Sequence, residues 1–179
     1  MVKTKSQRKA LFSCFFVILL LSGCASSPIE LTNKEPPAPG EGIIFGRVQL
    51  VENGKEKTLS FLGESKFGLF IMPGDSSESM YVPLEGEGSF AWRLPAGGYT
   101  IASFDWRASS TLAGPVYARF KVAEGRATYI GTLSITFAGY RYVLDVLDDE
   151  SAAAKHVLAE FPGLSGTISK DLMHMEKRR

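Results

Sequence analysis

The chain is short of the residues on which most catalytic and metal chemistry depends. It has two cysteines and two histidines in 179 residues, too few for a disulfide framework or a transition-metal site. Its charge is nearly balanced, 20 Lys+Arg against 19 Asp+Glu, so it lacks the basic excess of a nucleic-acid binder. No apolar run approaches the ~20 residues that span a bilayer as a helix. There is no Gly-x-Ser-x-Gly elbow, and no Gly-rich phosphate cradle ahead of a helix. What is present is a globular composition. Hydrophobic residues make up 45% and aromatics 11%, which suits a packed core and not a disordered chain.

The N-terminus differs from the rest. Residues 1–9 contain Lys3, Lys5, Arg8 and Lys9 and no acid, and the 12 residues Ala10 to Leu21 carry no charge. As a helix that run would cover only ~18 Å of a hydrocarbon core ~30 Å thick. A cationic start, a short apolar stretch and small residues after it read as a secretory signal peptide over residues 1–23. Leu21-Ser22-Gly23-Cys24 resembles the lipobox of bacterial lipoproteins, a Leu, two small residues and an obligatory Cys. That resemblance implies cleavage between Gly23 and Cys24, acylation of Cys24, and attachment to a membrane through N-terminal acyl chains; two chains suffice for stable anchoring. Ala25 and Ser26 follow, with no Asp in the position that commonly retains lipoproteins at the inner membrane. The resemblance therefore implies the periplasmic face of the outer membrane. Loss of residues 1–23 would remove four cations and no acid, leaving 16 Lys+Arg against 19 Asp+Glu, a formal −3. Cys14 would leave with the signal, so the mature chain would have no disulfide.

Residues 24–41 hold four prolines and several small polar residues without apolar periodicity, the mark of an extended tether. From Gly42 the pattern changes. Turn signals recur at Asn53-Gly54, Pro73-Gly74, Glu85-Gly86, Pro95-Ala96-Gly97-Gly98, Gly114-Pro115, Glu124-Gly125 and Ala138-Gly139. Between them apolar residues alternate with polar ones, as in half-buried strands. Phe90, Trp92 and Leu94 share one face. Val116, Ala118, Phe120 and Val122 share another, and Tyr129, Gly131, Leu133, Ile135 and Phe137 a third. Further strands are expected near 43–51, 56–62, 67–72, 79–84, 98–105 and 140–147. Asn53-Gly54 is the strongest hairpin signal, because both residues tolerate the positive φ of a type I′ turn. The rhythm predicts a mainly β domain over 42–168, an antiparallel β-sandwich. It is interrupted once, by a helix at about 149–161, where acids precede Ala152-Ala153-Ala154 and Pro162-Gly163 closes the run. Residues 169–179 read as a polar C-terminal tail.

Gly88-Ser89-Phe90-Ala91-Trp92 followed by Leu94-Pro95-Ala96-Gly97-Gly98-Tyr99-Thr100-Ile101 resembles the closing hairpin of carboxypeptidase-regulatory-like, or transthyretin-like, sandwiches. Phe120 to Gly125 and Tyr129-Ile130-Gly131 are similar to bacterial lipoproteins that carry such a domain. The resemblance covers roughly residues 42–147 and implies a transthyretin-like or Ig-like fold with no catalytic residues. Pro95 would fix φ at the start of the turn, and Tyr99 would bury its ring and hydrogen-bond through its hydroxyl.

Candidate chemistry is sparse. His156 and Glu160 are spaced i, i+4 on the expected helix and His174 stands in the tail, but a metal needs more ligands than these. Asp145, Asp148, Asp149 and Glu150 lack the spacing of a calcium loop and fit a helix start better. Glu85 and Glu87 fit a solvated turn. No metal, cofactor or catalytic residue is expected. The segment worth a functional reading is Asp105 to Gly114, expected as a loop, where Trp106 stands beside Arg107. Such a pair suits contact with a partner, although a Trp there commonly folds back to cap the core. The expectation is a non-enzymatic, lipid-anchored envelope protein, a binding or scaffold module with an envelope protein partner and no nucleic acid. A secretion-apparatus assembly lipoprotein of the type VI kind and an envelope hydrolase are the alternatives.

Overall fold

A computed structural model describes residues 29–30, 37–59, 66–74, 76–108, 111–139, 141–160 and 168–176. The described residues form twelve strands and one helix. In order, these are β1 (Ile29–Glu30), β2 (Glu41–Glu52), β3 (Lys55–Lys57), β4 (Lys66–Pro73), β5 (Met80–Leu84) and β6 (Ser89–Pro95). There follow β7 (Gly97–Arg107), β8 (Thr111–Val122), β9 (Ala127–Ala138), β10 (Arg141–Leu147), the helix α1 (Glu150–Glu160), β11 (Ile168–Lys170) and β12 (His174–Met175). The protein is thus mainly β with one short helix, and most neighbouring strands run antiparallel.

The strands make two sheets. The larger has the order β1-β6-β2-β9-β10, with β3 paired to β2 and β11 to β9; the smaller has the order β12-β8-β7-β4-β5. The chain passes repeatedly between them, and turn signals mark several of these passages. Glu85 to Gly88 carries it from β5 to β6, Pro95 to Gly97 from β6 to β7, and Glu124-Gly125 from β8 to β9. Each sheet turns one apolar face inward. Ile44, Val48, Leu50, Trp92, Leu133 and Ile135 from the larger meet Phe67, Leu69, Ile71, Ile101, Phe104 and Ala118 from the smaller in one buried cluster. Each such side chain contributes ~1.5–3 kcal/mol when taken out of water, so this shared core is what holds the sheets together.

The helix covers the other face of the larger sheet. Val157 is buried against Ile43, Phe45, Ala91, Ala127 and Tyr129, with Ala153, Ala154 and Leu158 beside it. The small alanines let the helix approach closely. Its start is tied down by the Asp149 N–H, which donates to the Tyr129 hydroxyl at 2.9 Å, and by Lys170, which pairs with Asp148 and with Glu150 at 3.3 Å. The acids before the helix are therefore a helix start with a basic partner from β11.

Several local expectations match. Asn53 and Gly54 both have positive φ, 53° and 73°, and join β2 to β3 through the pair Glu52 and Lys55. Phe90, Trp92 and Leu94 do share the inner face, with Phe90 and Trp92 stacked at 4.0 Å. Tyr99 is buried, stacks on Phe120 at 5.5 Å and donates to the Pro95 carbonyl at 2.9 Å. Burial raises its pKa.

Others are corrected. Pro95 to Gly98 is not the turn of a hairpin: β6 and β7 belong to different sheets, and Tyr99 pairs with Phe120 and Pro73. The pairing is not antiparallel throughout, since β9 runs parallel to both β2 and β11. A parallel neighbour needs a long crossover, here supplied by β3 to β8. Tyr129 and Leu133 do not share a face. A bulge sets Gly46 opposite Ile130 and Gly131, so Tyr129 faces the helix whereas Leu133, Ile135 and Phe137 face the core. Gly131 has φ 97° there, a conformation that side chains oppose. Residues 168–176 are no loose tail. β11 and β12 each add to a sheet, Met173 is buried in the core, and its N–H donates to the Ile130 carbonyl at 2.8 Å. Ile29–Glu30 of the expected tether pairs with Trp92 and Arg93. Finally, Asp105 to Gly114 is mostly strand: Asp105, Trp106 and Arg107 pair with Ala113, Leu112 and Thr111.

Candidate functional site

The extension of β7 and β8 places Trp106 and Arg107 on opposite sides of one strand. Trp106 points inward and is only 8% exposed, with its ring 5.4 Å from Phe137. Phe104, Phe137 and Tyr142 complete an aromatic plug at this end of the core, and the Tyr142 hydroxyl donates to the Pro115 carbonyl at 2.9 Å. Trp106 therefore caps the core. Its Nε1 is buried and finds no hydrogen-bond partner among the described residues. Arg107 points outward with its side chain 65% exposed. The other sites expected from the sequence fall elsewhere. Gly23 and Cys24 lie outside the described residues, as do the side chains of His156 and Glu160. His174 is exposed on β12. Among the described residues no three His, Cys, Asp or Glu side chains converge as a metal site would require, and no helix there is long and apolar enough to cross a membrane.

The outer face of the smaller sheet carries an open concavity. An open cavity of about 680 Å³ is lined there by Phe70, Ser103, Asp105, Ala113, Pro115 and Tyr117 among others. Two cross-strand rows build it. Phe70 on β4 pairs with Ser103 on β7, which pairs with Pro115 on β8; Gly68 pairs with Asp105, which pairs with Ala113. The small residues Ser103 and Ala113 are part of the lining, with Phe70, Pro115 and Tyr117 around them.

A double irregularity in β7 opens this face. Ala102 is an extra residue relative to β4, where Phe70 and Ile71 pair with Ser103 and Ile101. Relative to β8 the same Ala102 stands against two residues, Val116 and Tyr117. Tyr117 adopts φ 56°, a left-handed conformation that costs a residue with a side chain ~1–2 kcal/mol. Core neighbours hold it there, since Val116 and Ala118 are both anchored inside, and its carbonyl accepts from the Glu176 N–H at 2.9 Å. Bulges of this kind re-aim side chains beside binding sites.

The charged residue of the lining is Asp105, which is ion-paired with Arg107 next to it on β7. Asp105 is 7% exposed, and its Oδ2 accepts from Arg107 Nε at 2.8 Å and lies 2.7 Å from Nη2. Hydrogen bonding and charge attraction from Asp105 raise the Arg107 pKa, so the guanidinium stays charged throughout the working pH range. Tyr81 of β5, 45% exposed, stands alongside. Its ring lies 5.2 Å from Phe70 at 56° and passes over Gly68, where a Cβ would overlap it.

Reading Asp105 to Gly114 as a loop hid this arrangement. The signal was the change of phase along β7: Tyr99 and Ile101 occupy odd positions, Phe104 and Trp106 even ones, and Ala102-Ser103 lies between. An acid set between Phe104 and Trp106 in such a run must be on the outer face.

No protein-family model matches this chain, and no curated protein matches it. Among solved structures, a leucine-rich repeat protein from Bacteroides thetaiotaomicron VPI-5482 is similar at 14% identity and a TM-score of 0.37, over 68% of this chain and 16% of that one. A likeness that loose assigns neither a fold nor a role.

Proposed function

We propose that this is a lipid-anchored envelope protein whose domain acts as a non-enzymatic binding or scaffold module. On this reading Cys24 carries the acyl chains, the proline-rich stretch before β2 is a tether at the periplasmic face of the outer membrane, and a transthyretin-like sandwich meets an envelope partner. The observation that carries it is the open cavity on the smaller sheet, whose lining brings Phe70 and Tyr117 together with Ser103 and Asp105. Pockets of 300–1,000 Å³ with a few convergent polar groups are the usual form of binding sites. Hydrolysis of glycosidic bonds needs two carboxylates, and Asp105 is the single acid lining this cavity. Tethering would raise the local concentration of the domain at the membrane.

Two measurements test the reading. Metabolic labelling with a fatty-acid analogue should mark the wild-type protein and leave Cys24→Ala unlabelled; persistent labelling of the variant would sink the anchor. Crosslinking in intact cells through a photoreactive residue at Lys66, which neighbours Arg107 in the sheet, should trap a discrete envelope component. Consistent absence of any adduct overturns the binding reading.

A further inference from the structure

We infer that two copies of this chain join edge to edge through β10, in one defined register. The inference goes beyond the proposed binding role and uses neither the cavity nor the anchor. Among the described strands β10 ends the larger sheet, with β9 on one side and no strand on the other. An edge strand is a template for pairing with another chain, and proteins commonly blunt it with proline, lysine or shortness. The other sheet ends are blunted in this way. β5, at one end of the smaller sheet, carries Pro83, and β1 and β12 have two residues each. β10 has seven residues and contains neither proline nor lysine. Exposed and half-buried residues alternate along its whole length. Tyr142, Leu144 and Val146 pack against the core, whereas Arg141, Val143, Asp145 and Leu147 are exposed. Val143, at 68%, is the most exposed large apolar side chain among the described residues, and it sits at the middle of the row.

The order of charges in this row selects the partner. Arg141, Val143 and Asp145 read cation, apolar, anion at every second residue. Turned end for end, the same row reads anion, apolar, cation, so a second copy is its complement. Among the described residues neither Arg141 nor Asp145 is engaged in a salt bridge. Antiparallel pairing centred on Val143 sets Arg141 of each copy opposite Asp145 of the other, and Val143 opposite itself. Opposite charges facing across a ladder stabilise it, and like charges oppose it. Moving the centre to Leu144 would set Val143 against Asp145 and Arg141 against Leu147, and moving it to Asp145 would oppose two acids. Charge therefore leaves the first register. Val146 donates its N–H to Asp145 Oδ1 at 2.8 Å and lies beyond the ladder, which runs from Arg141 to Asp145 in each copy, so that bond survives pairing. The interface is isologous, with a twofold axis through Val143. It merges the two larger sheets into one and leaves both helices on the same outer face.

The test is a disulfide that this register alone allows. Facing Cα atoms of an antiparallel pair lie ~4.5–5.5 Å apart, so cysteines replacing the two Val143 side chains fall within disulfide reach. The two Leu147 Cα atoms, four residues out on opposite sides of the centre, lie ~27 Å apart. Full-length Val143→Cys and Leu147→Cys are purified in detergent, oxidised with copper phenanthroline and run on non-reducing gels beside the wild type, whose Cys14 and Cys24 set the background. Val143→Cys should give a reducible dimer well above that background, and Leu147→Cys none above it. Adding Arg141→Asp to Val143→Cys sets acid against acid twice and should lower the dimer yield about tenfold. Adding Asp145→Arg as well exchanges the two charges and should restore the yield. All four positions are exposed, so each variant should unfold near the wild-type temperature and report on pairing and not on folding. Absence of a dimer from Val143→Cys overturns the proposal. Equal yields from Leu147→Cys, or a yield indifferent to the charge reversal, overturn it as well, because they mark chance collision and not a ladder. None of these outcomes bears on the anchor or the binding role, which the labelling and crosslinking measurements decide.

Discussion

The two sheets share one core but treat their outer faces differently. On the larger sheet part of the outer face is apolar and roofed: Ile43, Phe45, Ala91, Ala127 and Tyr129 lie under the helix. On the smaller sheet the outer face is mixed, with an ion pair, aromatic rings and small residues around an open groove. The contrast is written into the strands. From Ala127 to Ile135 every residue of β9 is buried, as expected of a strand covered on both sides. In β8, from Thr111 to Val122, exposed and covered residues alternate. Two bulges also serve opposite ends. The one at Gly131 turns Tyr129 under the helix, and the one at Ala102 gives Ser103 and Asp105 to the groove.

Substitutions can break or sharpen this contrast. Tyr129 on the roofed face is fully buried, packs on Phe45 at 5.6 Å and holds the start of the helix. Tyr129→Ala should destabilise the protein by about 4–5 kcal/mol in urea unfolding; a loss below about 1 kcal/mol would show that the helix is not part of the fold. Trp106 and Arg107 separate inside from outside within a single step of chain. Trp106→Ala should cost about 3 kcal/mol, whereas Trp106→Phe, which keeps a ring and removes the orphan N–H, should stay within about 1.5 kcal/mol. Arg107→Ala removes no core packing but leaves the buried Asp105 carboxylate without this partner, and the unsatisfied carboxylate should cost about 1–3 kcal/mol; no loss at all would show that the pair does not contribute.

The corner between the sheets gives a smaller and pH-dependent effect. Tyr99→Phe loses the bond to the Pro95 carbonyl and should cost about 1 kcal/mol at pH 7. Burial raises the Tyr99 pKa above its ordinary 10.0. The neutral phenol's stabilisation is therefore complete below that value and is lost as pH rises through the folded-state pKa. The stability gap between wild type and Tyr99→Phe should accordingly close in strong alkali; a gap independent of pH would mean that the hydroxyl is not buried. Smallest of all, Tyr81→Ala on the open face should change stability by less than about 1 kcal/mol in thermal unfolding; a larger loss would contradict its exposure.

How much of this could be read from the sequence depends on the reach of each signal. Turn chemistry is local, so Asn53-Gly54 was legible to the level of φ. Alternation was legible within β6 and β8, and the helix at 149–161 came within a residue of Glu150–Glu160 at each end. Alternation fails where a bulge shifts its phase, as at Ala102 and Gly131, because periodicity alone does not say which residue is the extra one. Pairing partners are less legible still. Nothing near Ile43 announces that its neighbour is Ala127, and nothing in Ser169 to Met175 announces burial except Leu172 and Met173 among polar residues. The groove was missed for the same reason. Phe70, Tyr81, Ser103, Asp105 and Tyr117 come from four strands, and only the sheet order brings them together.

The parallel pairing of β2 with β9 sets the order in which the protein can assemble. Ile43 finds its partner at Ala127, and Gly40 donates its N–H to Glu124 across 84 residues of chain. Until β9 emerges, β2 has only β6 and the short β3 beside it, and one of its edges stays open. The smaller sheet's β4, β5, β7 and β8 lie wholly within that interval and can pair among themselves first. Contacts between distant segments slow folding, so the slowest step should be the insertion of β9 beside β2, followed by the helix and the final strands. A chain that ends before β9 would present an unpaired apolar strand to its surroundings. That gives the early part of the molecule a need for protection that its finished form conceals.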